Sequence, residues 1–328
     1  MIDGWTVDRL PKGSRQEWLA LRQQDLTASE AGALFGVHKY TTARKLAHDK
    51  AYGEQDGRTN AVRRRGQIME PAVAEAIALD TPFRPRRCEH YLRARAADRL
   101  VRMGATLDYD LHVLADDLIH CPHTRAGALD AGWDRRLGET LYLSIECKSV
   151  DPGVFEREWS AGPPPYHLIQ VAQQALLAGA DGGLVACLIE NFTKDLVLFP
   201  VPRRPDFEAR LIEEAREFWR RYEDGEDAPV VALDNAFMAT YFPANPDERS
   251  PDATVNLSAE PGWAELLVER ERLTMAIEAG EKRIDEIEAR LKDRMREAVR
   301  ATLPGWSITW KADKNNKRSL KIRRDTRR

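Results

Sequence analysis

An acidic residue and a lysine stand two positions apart in one β-like run, as Glu146 and Lys148. Side chains alternate between the two faces of a strand, so both charges project from one face while Cys147 points to the other. The preceding residues 141–145 are mostly apolar, which is typical of a buried central strand and places the pair near its end. Asp108 closes an earlier β-like run. Together these residue types indicate a metal-dependent site that hydrolyses phosphodiesters.

This hydrolysis needs a hard cation, because the charge of the phosphate must be neutralised and the attacking water must become more acidic. Mg²⁺, for which Mn²⁺ can substitute, prefers oxygen ligands, and Asp108, Glu146 and the backbone carbonyl of Cys147 could supply them. Lys148 would orient the water or help to deprotonate it, and would offset negative charge in the transition state. The alternative is a solvated ion pair at the end of a strand.

A third acidic residue, Glu70, lies in a helical pattern that covers residues 60–79. Pro71 follows it directly and disfavours helical geometry at the preceding residue, which predicts that Glu70 lies at a kink or at a helix start. A carboxylate at this place is either ordinary decoration of a first turn or a member of the acidic group.

A separate segment has the residue types of a phosphate site. Thr27 and Glu30 have the spacing of a capping box, which predicts a helix over residues 28–36. Free backbone N–H groups at a helix start bind anions, and Ser29 with Arg22 could complete a phosphate pocket there. The alternative is an ordinary capped helix with a surface arginine.

In these positions the sequence resembles the lambda-exonuclease/YqaJ viral recombinase family of phage 5′-to-3′ exonucleases, within the PD-(D/E)XK nuclease superfamily. The resemblance extends over residues 14–225. It rests on W-x-x-x-R with T-A-S at Trp18–Ser29, G-x-x-x-E-P at Gly66–Pro71, G-A-T-L-D at Gly104–Asp108, E-C-K at Glu146–Lys148 and Q-V-A-Q-Q at Gln170–Gln174. It implies an α/β, restriction-endonuclease-like core, in which a mixed central sheet is flanked by helices.

The resemblance also implies a role for each matching residue. In the family, an aspartate and a glutamate hold the metal, a lysine is catalytic, and the glutamate before the proline completes the acidic cluster. An arginine and the T-A-S motif contact the terminal 5′ phosphate, and a glutamine supports the active site. These roles correspond here to Asp108, Glu146, Lys148 and Glu70, then to Arg22, Thr27 and Ser29, and finally to Gln170.

One departure from the family pattern leaves the metal aspartate open. The gap between Asp108 and Glu146 is far longer than the usual short hairpin, which indicates an inserted loop. That loop contains Asp130, which lies closer to Glu146 in sequence and is the alternative ligand. Asp108 is preferred because it follows a β-like run and its motif is the closer match.

Composition agrees with a nuclease and excludes several other classes. The net charge of −3 conceals a basic end, because residues 311–328 contain nine lysines and arginines against two aspartates. Such a tail attracts phosphates without sequence preference, although it could also be a solubilising terminus. The four cysteines have no C-x-x-C spacing, which argues against an iron–sulfur cluster and a disulfide framework. The sequence shows neither a membrane helix nor a signal peptide, so we expect a cytoplasmic protein without a membrane partner.

The pattern predicts three regions: a nuclease domain over residues 1–225, a linker or arm over 226–258, and a C-terminal extension over 259–328. In the first region we expect helices near 14–24, 28–36, 41–50, 60–79, 164–179 and 205–223, and strands near 88–97, 100–107, 111–115, 127–133, 140–148, 183–190 and 195–201. The extension predicts an amphipathic helix or helical hairpin over 261–302, with Gly280 as the break, and then a β-hairpin formed by residues 306–311 and 318–322. The helix must bury its apolar stripe against the core, another helix or another subunit.

The function that the resemblance implies is Mg²⁺-dependent 5′-to-3′ digestion of double-stranded DNA ends, which leaves 3′ single strands for an annealing recombinase. Relatives form rings around DNA, so a homo-oligomer is also implied. Two alternatives stay open. One is a PD-(D/E)XK endonuclease or repair nuclease, and the other is a non-catalytic protein that binds DNA ends or acts as a scaffold.

Overall fold

A computed structural model describes residues 5–53, 59–95, 98–242, 254–258, 260–313 and 315–324. The chain divides into two compact units, residues 1–243 and 244–328. Residues 243–253 of the predicted arm, and Lys314 and residues 325–328 of the basic end, lie outside the described residues.

The first unit is a mixed α/β structure. Its helices are α1 (Arg15–Gln24), α2 (Ala43–Tyr52), α3 (Thr59–Asp80), α4 (Ala115–His120), α5 (Arg125–Asp130), α6 (Pro152–Val154), α7 (Pro165–Ala178), α8 (Pro205–Asp224) and α9 (Asp234–Tyr241). Its strands are β1 (Thr6–Pro11), β2 (Leu26–Thr27), β3 (Arg86–Arg87), β4 (His90–Arg95), β5 (Met103–Thr106), β6 (Tyr109–Leu114), β7 (Thr140–Val150), β8 (Gly182–Ile189) and β9 (Leu196–Pro202).

Two sheets organise this unit. The larger has the strand order β3-β6-β7-β8-β9, in which β7 and β8 are parallel and the other neighbours are antiparallel. The smaller has the order β1-β4-β5-β2. Helix α7 connects the parallel strands β7 and β8 and packs against both. This mixed sheet with flanking helices confirms the predicted fold class.

The central strand β7 separates an apolar face from a polar one. Leu141, Leu143 and Ile145 are completely buried in one core with Val73 and Ile77 of α3. Burying each such side chain contributes about 1.5–3 kcal/mol, so this face fixes the register of the strand. The alternate residues, which include the two charged side chains near the strand's end, therefore point to the other face.

Helix α7 also ties the smaller sheet to the larger one. The side-chain nitrogen of Gln173 donates to the backbone carbonyl of Leu26 at 2.9 Å and to that of Gly104 at 3.0 Å. These carbonyls belong to β2 and β5, which pair in parallel. Because Gln173 is completely buried, these bonds satisfy carbonyls that water cannot reach.

The predicted helix over residues 28–36 is wrong. Only a single 3₁₀ turn, Ala31–Ala33, forms there. Thr27 belongs to β2 and pairs with Gly104, and its N–H donates to the Glu30 carboxylate at 3.0 Å. The capping-box spacing therefore closes a tight turn after a strand, because pairing with a distant strand overrides the local preference.

Two other local predictions are also wrong. Residues 127–133, predicted as a strand, contain the end of α5 and the start of a 3₁₀ turn, Trp133–Arg136. Here buried Ala128 packs at helical spacing. Glu70 does not lie at a helix start, since α3 begins at Thr59 and continues through Pro71. The apolar face of α3 against β7 supports the helix across this proline.

The second unit contains α10 (Trp263–Met295) and the strands β10 (Arg300–Leu303), β11 (Trp306–Ala312) and β12 (Arg318–Arg324), which form an antiparallel sheet in that order. The helix continues through Gly280, so the predicted break is wrong, because one glycine inside a long helix costs only about 1 kcal/mol. The predicted hairpin is present and gains β10, which the sequence pattern had placed in the helix.

Part of the basic end is structured. The Arg318 guanidinium lies 3.6 Å from the Trp310 ring centroid and donates to the carbonyl of Ala298 at 2.7 Å. It thus links the strand β12 to the chain that leaves α10. No described helix is both long and apolar enough to cross a membrane.

We expect Gly104→Ala to destabilise the first unit. A Cβ at this position would collide with the ring and hydroxyl of Tyr91, which is completely buried and donates to Asp25 at 3.1 Å. Overpacking of this kind lowers the free energy of unfolding by about 1–3 kcal/mol, which denaturant titration would measure.

Gly66→Ala in α3 is the matched control. A Cβ there meets no heavy atom within 4 Å, so this change should stabilise the helix by about 0.5–1 kcal/mol. If both alanine variants changed stability in the same direction, the close approach of β5 to Tyr91 would not be the reason for glycine at position 104.

Candidate active site

Glu146 is held in place by both of its neighbours. Its carboxylate accepts a hydrogen bond from Gln174 of α7 at 2.6 Å and a charged one from Lys148, two residues along β7. The Gln174 amide also donates to the carbonyl of Thr106 in β5 at 3.1 Å. Since Glu146 is only 3% exposed, these partners compensate a charge that water does not solvate.

Asp108 reaches the same place from the turn before β6. Pairing between β6 and β7 ends at Tyr109 opposite Ile145, which leaves the next part of β7 open on that edge. There the Cys147 N–H donates to the Asp108 carboxylate at 2.9 Å. The N–H and C=O of one strand residue point to the same side, so the Cys147 carbonyl also faces Asp108.

Glu70 completes the acidic cluster from α3. It lies one turn before Val73, which is buried in the core that α3 shares with β7. Burial raises the pKa of Glu70, and the carboxylate of Glu146 raises it further. The predicted residues Asp108, Glu146, Lys148 and Glu70 therefore converge at the end of β7, and we call them the acidic cluster.

The charges in this cluster are not balanced. Burial raises the pKa of Asp108 well above its ordinary value, and Glu146 raises it further, while Lys148 opposes the shift. Burial alone would lower the pKa of Lys148, but Glu146 and Asp108 raise it above its ordinary value. Lys148 therefore carries a positive charge in this arrangement, which makes it a charge-stabilising group and a poor base.

A divalent cation fits the chemistry of this cluster. Carboxylate and carbonyl oxygens are the ligands of hard cations, and three acids around one lysine carry an excess of negative charge. Among the described residues, no group of three His, Cys, Asp or Glu side chains is arranged closely enough to hold a metal as it stands. The reason lies in Glu146, whose oxygens are turned toward Lys148 and Gln174. Coordination therefore requires Glu146 to exchange a protein partner for the ion.

The residues predicted to bind phosphate also lie together. Arg22 donates to the Ser29 hydroxyl at 3.2 Å, and the Thr27 hydroxyl lies 3.2 Å from that of Ser29. The Arg22 guanidinium carbon is 4.7 Å from the centroid of the Trp18 ring. We call Arg22, Thr27 and Ser29 the hydroxyl–arginine pocket.

A buried ion pair supports this pocket. Lys50 donates to the Glu30 carboxylate and to the Arg22 carbonyl, both at 2.7 Å. Burial alone would raise the pKa of Glu30, but Lys50 and then Arg22 lower it below its ordinary value. Glu30 is therefore ionised and fixes both Arg22 and the Thr27 N–H.

Thr106 joins the pocket to the acidic cluster. The Trp18 indole donates to the Thr106 hydroxyl at 3.2 Å, and Trp18 packs against Arg22. The carbonyl of Thr106 accepts from Gln174, which in turn holds Glu146. One strand residue thus contacts the supports of both groups, so the two are neighbours on one surface of the unit.

The glutamine that contacts Glu146 is not the one selected from the sequence. Gln170 interacts with His167, one turn closer to the start of α7, whereas Gln174 reaches Glu146. The two are spaced i, i+4 and share a helix face, so periodicity alone did not distinguish them. A supporting role for Gln170 stays a prediction.

The alternative metal ligand lies elsewhere in the unit. Asp130 is exposed at the end of α5, a helix that packs against β9. It does not contribute to the shifted pKa of Asp108. Asp98 and Asp110 bind arginines, Arg216 at 2.6 Å and Arg86 at 2.9 Å.

We expect Asp108→Asn to stabilise the protein in the absence of metal. Burial and Glu146 raise the pKa of Asp108 in the folded state, so its ionisation costs folding free energy above that raised pKa. This cost disappears as the pH falls through the raised pKa toward the ordinary range of an aspartate, about 4. In EDTA the variant should therefore melt a few degrees higher than the wild type at neutral pH, with no advantage below about pH 4.

The exposed residue Asp130 provides the control, since Asp130→Asn should leave the melting temperature almost unchanged. A lower melting temperature for Asp108→Asn at neutral pH would show that the carboxylate stabilises the fold, contrary to this account.

Comparisons with known proteins agree with the geometry. A family model described as "YqaJ-like viral recombinase domain" matches residues 17–181. Among solved structures, the alkaline exonuclease LHK-Exo from Laribacter hongkongensis is similar at 15% identity and a TM-score of 0.43, covering 69% of this chain and 98% of that one. LHK-Exo in complex with dAMP gives 16%, 0.42, 64% and 93% for the same quantities. No curated protein matches the chain.

The matched segment spans half of the chain and contains the acidic cluster and the hydroxyl–arginine pocket. The family and the nuclease class predicted from the sequence are both confirmed by this match. The chain belongs to the YqaJ-like viral recombinase family.

Proposed function

We propose that this chain is a Mg²⁺-dependent exonuclease that digests one strand of double-stranded DNA from its 5′ end. The observation that carries the proposal is the position of Thr106 between the hydroxyl–arginine pocket and the acidic cluster. A pocket for a terminal phosphate beside a site for phosphodiester hydrolysis selects chain ends, because an internal phosphate lacks the second negative charge of a terminal one.

Each residue has a defined task in this proposal. Arg22 and Ser29 bind the terminal phosphate, with a charged donor and a hydroxyl in a rigid setting. Gln174 orients Glu146, and the Cys147 N–H orients Asp108. A divalent cation held by Asp108, Glu146 and the Cys147 carbonyl, with Glu70 nearby, would neutralise the phosphate and acidify the attacking water.

Lys148 supplies positive charge during the reaction. Its raised pKa keeps it protonated, so it stabilises negative charge that develops on the phosphate oxygens. Removal of 5′ nucleotides would leave a 3′ single strand, and an annealing recombinase is the partner that would use it. A homo-oligomer around the duplex belongs to the same proposal.

The first test is digestion of linear duplex DNA that carries either a 5′ phosphate or a 5′ hydroxyl. We expect loss of the 5′-phosphorylated strand with Mg²⁺ and none with EDTA. Lys148→Ala should lower the rate about 100- to 1,000-fold, because it removes a fixed charge at the reacting phosphate. Arg22→Ala should instead reduce the preference for a 5′ phosphate over a 5′ hydroxyl.

A closed circular duplex and a binding assay separate the alternatives. Cutting of the circle would support the endonuclease or repair nuclease. DNA ends that are bound but not cut, with the wild type and either Mg²⁺ or Mn²⁺, would support the non-catalytic end-binding protein.

A second prediction concerns the two glutamines of α7. Gln174→Ala should lower the turnover rate about 10- to 100-fold and raise the Mg²⁺ concentration required, because Glu146 loses the donor that orients it. Gln170→Ala is the matched control on the same helix face, and we expect turnover within about twofold of wild type. A larger loss for Gln170→Ala than for Gln174→Ala would return the supporting role to Gln170.

A further inference from the structure

Helix α10 exposes large apolar side chains along its length. They are Trp263, Leu266, Leu267, Val268, Leu273, Met275, Ile277, Ile284 and Ile287. At about 1.5 Å per residue, the 33-residue helix is about 50 Å long. Exposed apolar surface of this extent on a helix is typical of an interaction face.

The spacing of these residues fits a heptad repeat. Taking Trp263 as position a, the a positions are Trp263, Arg270, Ile277, Ile284 and Leu291, and the d positions are Leu266, Leu273, Gly280, Ile287 and Arg294. Seven of these ten residues are large and apolar. A sustained a/d repeat of this kind fits another α-helix, because each apolar residue inserts between four residues of the facing helix.

The three exceptions decide how two copies of this helix can pair. In a parallel, in-register pair, Arg270 and Arg294 would each face their own copies, and the two Gly280 residues would leave a gap in the centre. Like charges in a seam and an unfilled layer both destabilise the pair. A parallel dimer is therefore disfavoured by its core.

An antiparallel pair centred between Ile277 and Gly280 removes all three conflicts. Each layer then joins an a residue of one helix with a d residue of the other. The layers are Trp263 with Arg294, Arg270 with Ile287, Ile277 with Gly280, Ile284 with Leu273, and Leu291 with Leu266. The glycine lies opposite a large side chain, and an arginine lies against a tryptophan ring, which is a favourable contact.

The charges beside the seam agree with this register. In an antiparallel pair the g positions of the two helices face each other, and here Glu269 of one copy meets Arg290 of the other. The twofold axis creates this opposite-charge pair twice. The remaining g pair, Ala276 with Arg283, contains no like charges.

We propose that α10 is an antiparallel coiled-coil dimerisation helix whose partner is a second copy of this chain. This inference does not depend on the proposed nuclease activity. Because the interface is isologous, every contact occurs twice, and a single substitution acts on both sides of the seam.

The first experiment measures the mass of the full chain by light scattering at micromolar concentration. A chain of 37.2 kDa should give twice that mass, and Ile277→Glu should raise the dissociation constant about 100-fold or more, because two carboxylates would be buried without partners. Met275→Glu is the control, since Met275 is as exposed as Ile277, at 64% against 61%, but lies off the seam. Circular dichroism checks that both variants keep their helices.

The second experiment tests the orientation. Leu273→Cys and Ile284→Cys are each made with Cys88→Ser, because the other three cysteines are buried. Under oxidation we expect disulfide dimers in a mixture of the two variants and none in either variant alone. A monomeric chain, or a mass that Ile277→Glu leaves unchanged, would overturn the dimer, and self-crosslinking of Leu273→Cys would overturn the antiparallel arrangement.

Discussion

The first unit depends on a crowding of like charges at the end of β7. Asp108, Glu146 and Glu70 converge on one lysine in surroundings that raise the pKa of Asp108 and Glu70. Carboxylates in water would move apart, so this arrangement exists only because other contacts hold the backbone. The opposite, apolar face of β7 supplies much of that support, through burial against α3. One strand thus uses its two faces for opposite purposes, stability on one and chemistry on the other.

Helix α7 turns these local sites into one surface. Gln173 and Gln174 are adjacent in sequence, yet they bind different parts of the unit, because successive helix residues point about 100° apart. Gln173 binds β2 and β5, and Gln174 binds Glu146 and the carbonyl of Thr106. The acidic cluster and the hydroxyl–arginine pocket are therefore tied to the same helix, which keeps their separation fixed. A site that measures the distance from a chain end to a reacting bond requires this rigidity.

The sequence predicts the strands of the larger sheet well, because continuous apolar runs mark them. Residues 183–190 and 195–201 were predicted as strands, and β8 and β9 cover almost the same residues. The failures arise where a distant partner decides the conformation. Thr27 pairs with Gly104, far along the chain, so residues 28–36 cannot follow their capping signal into a helix. Residues 127–133 have small side chains that suit either structure, and packing selects the helix.

The candidate site shows the same division between what local sequence contains and what it lacks. Residue types and spacing identified Asp108, Glu146, Lys148 and Glu70, but no local signal shows which group each carboxylate binds. In the structure Lys148 occupies an oxygen of Glu146, and its positive charge is stabilised there. Under the proposed function, Glu146 must release Lys148 before it can give that oxygen to a cation. The released lysine then has its charge free for the phosphate, so one exchange of partners would prepare both the metal ligand and the charge that stabilises the reaction.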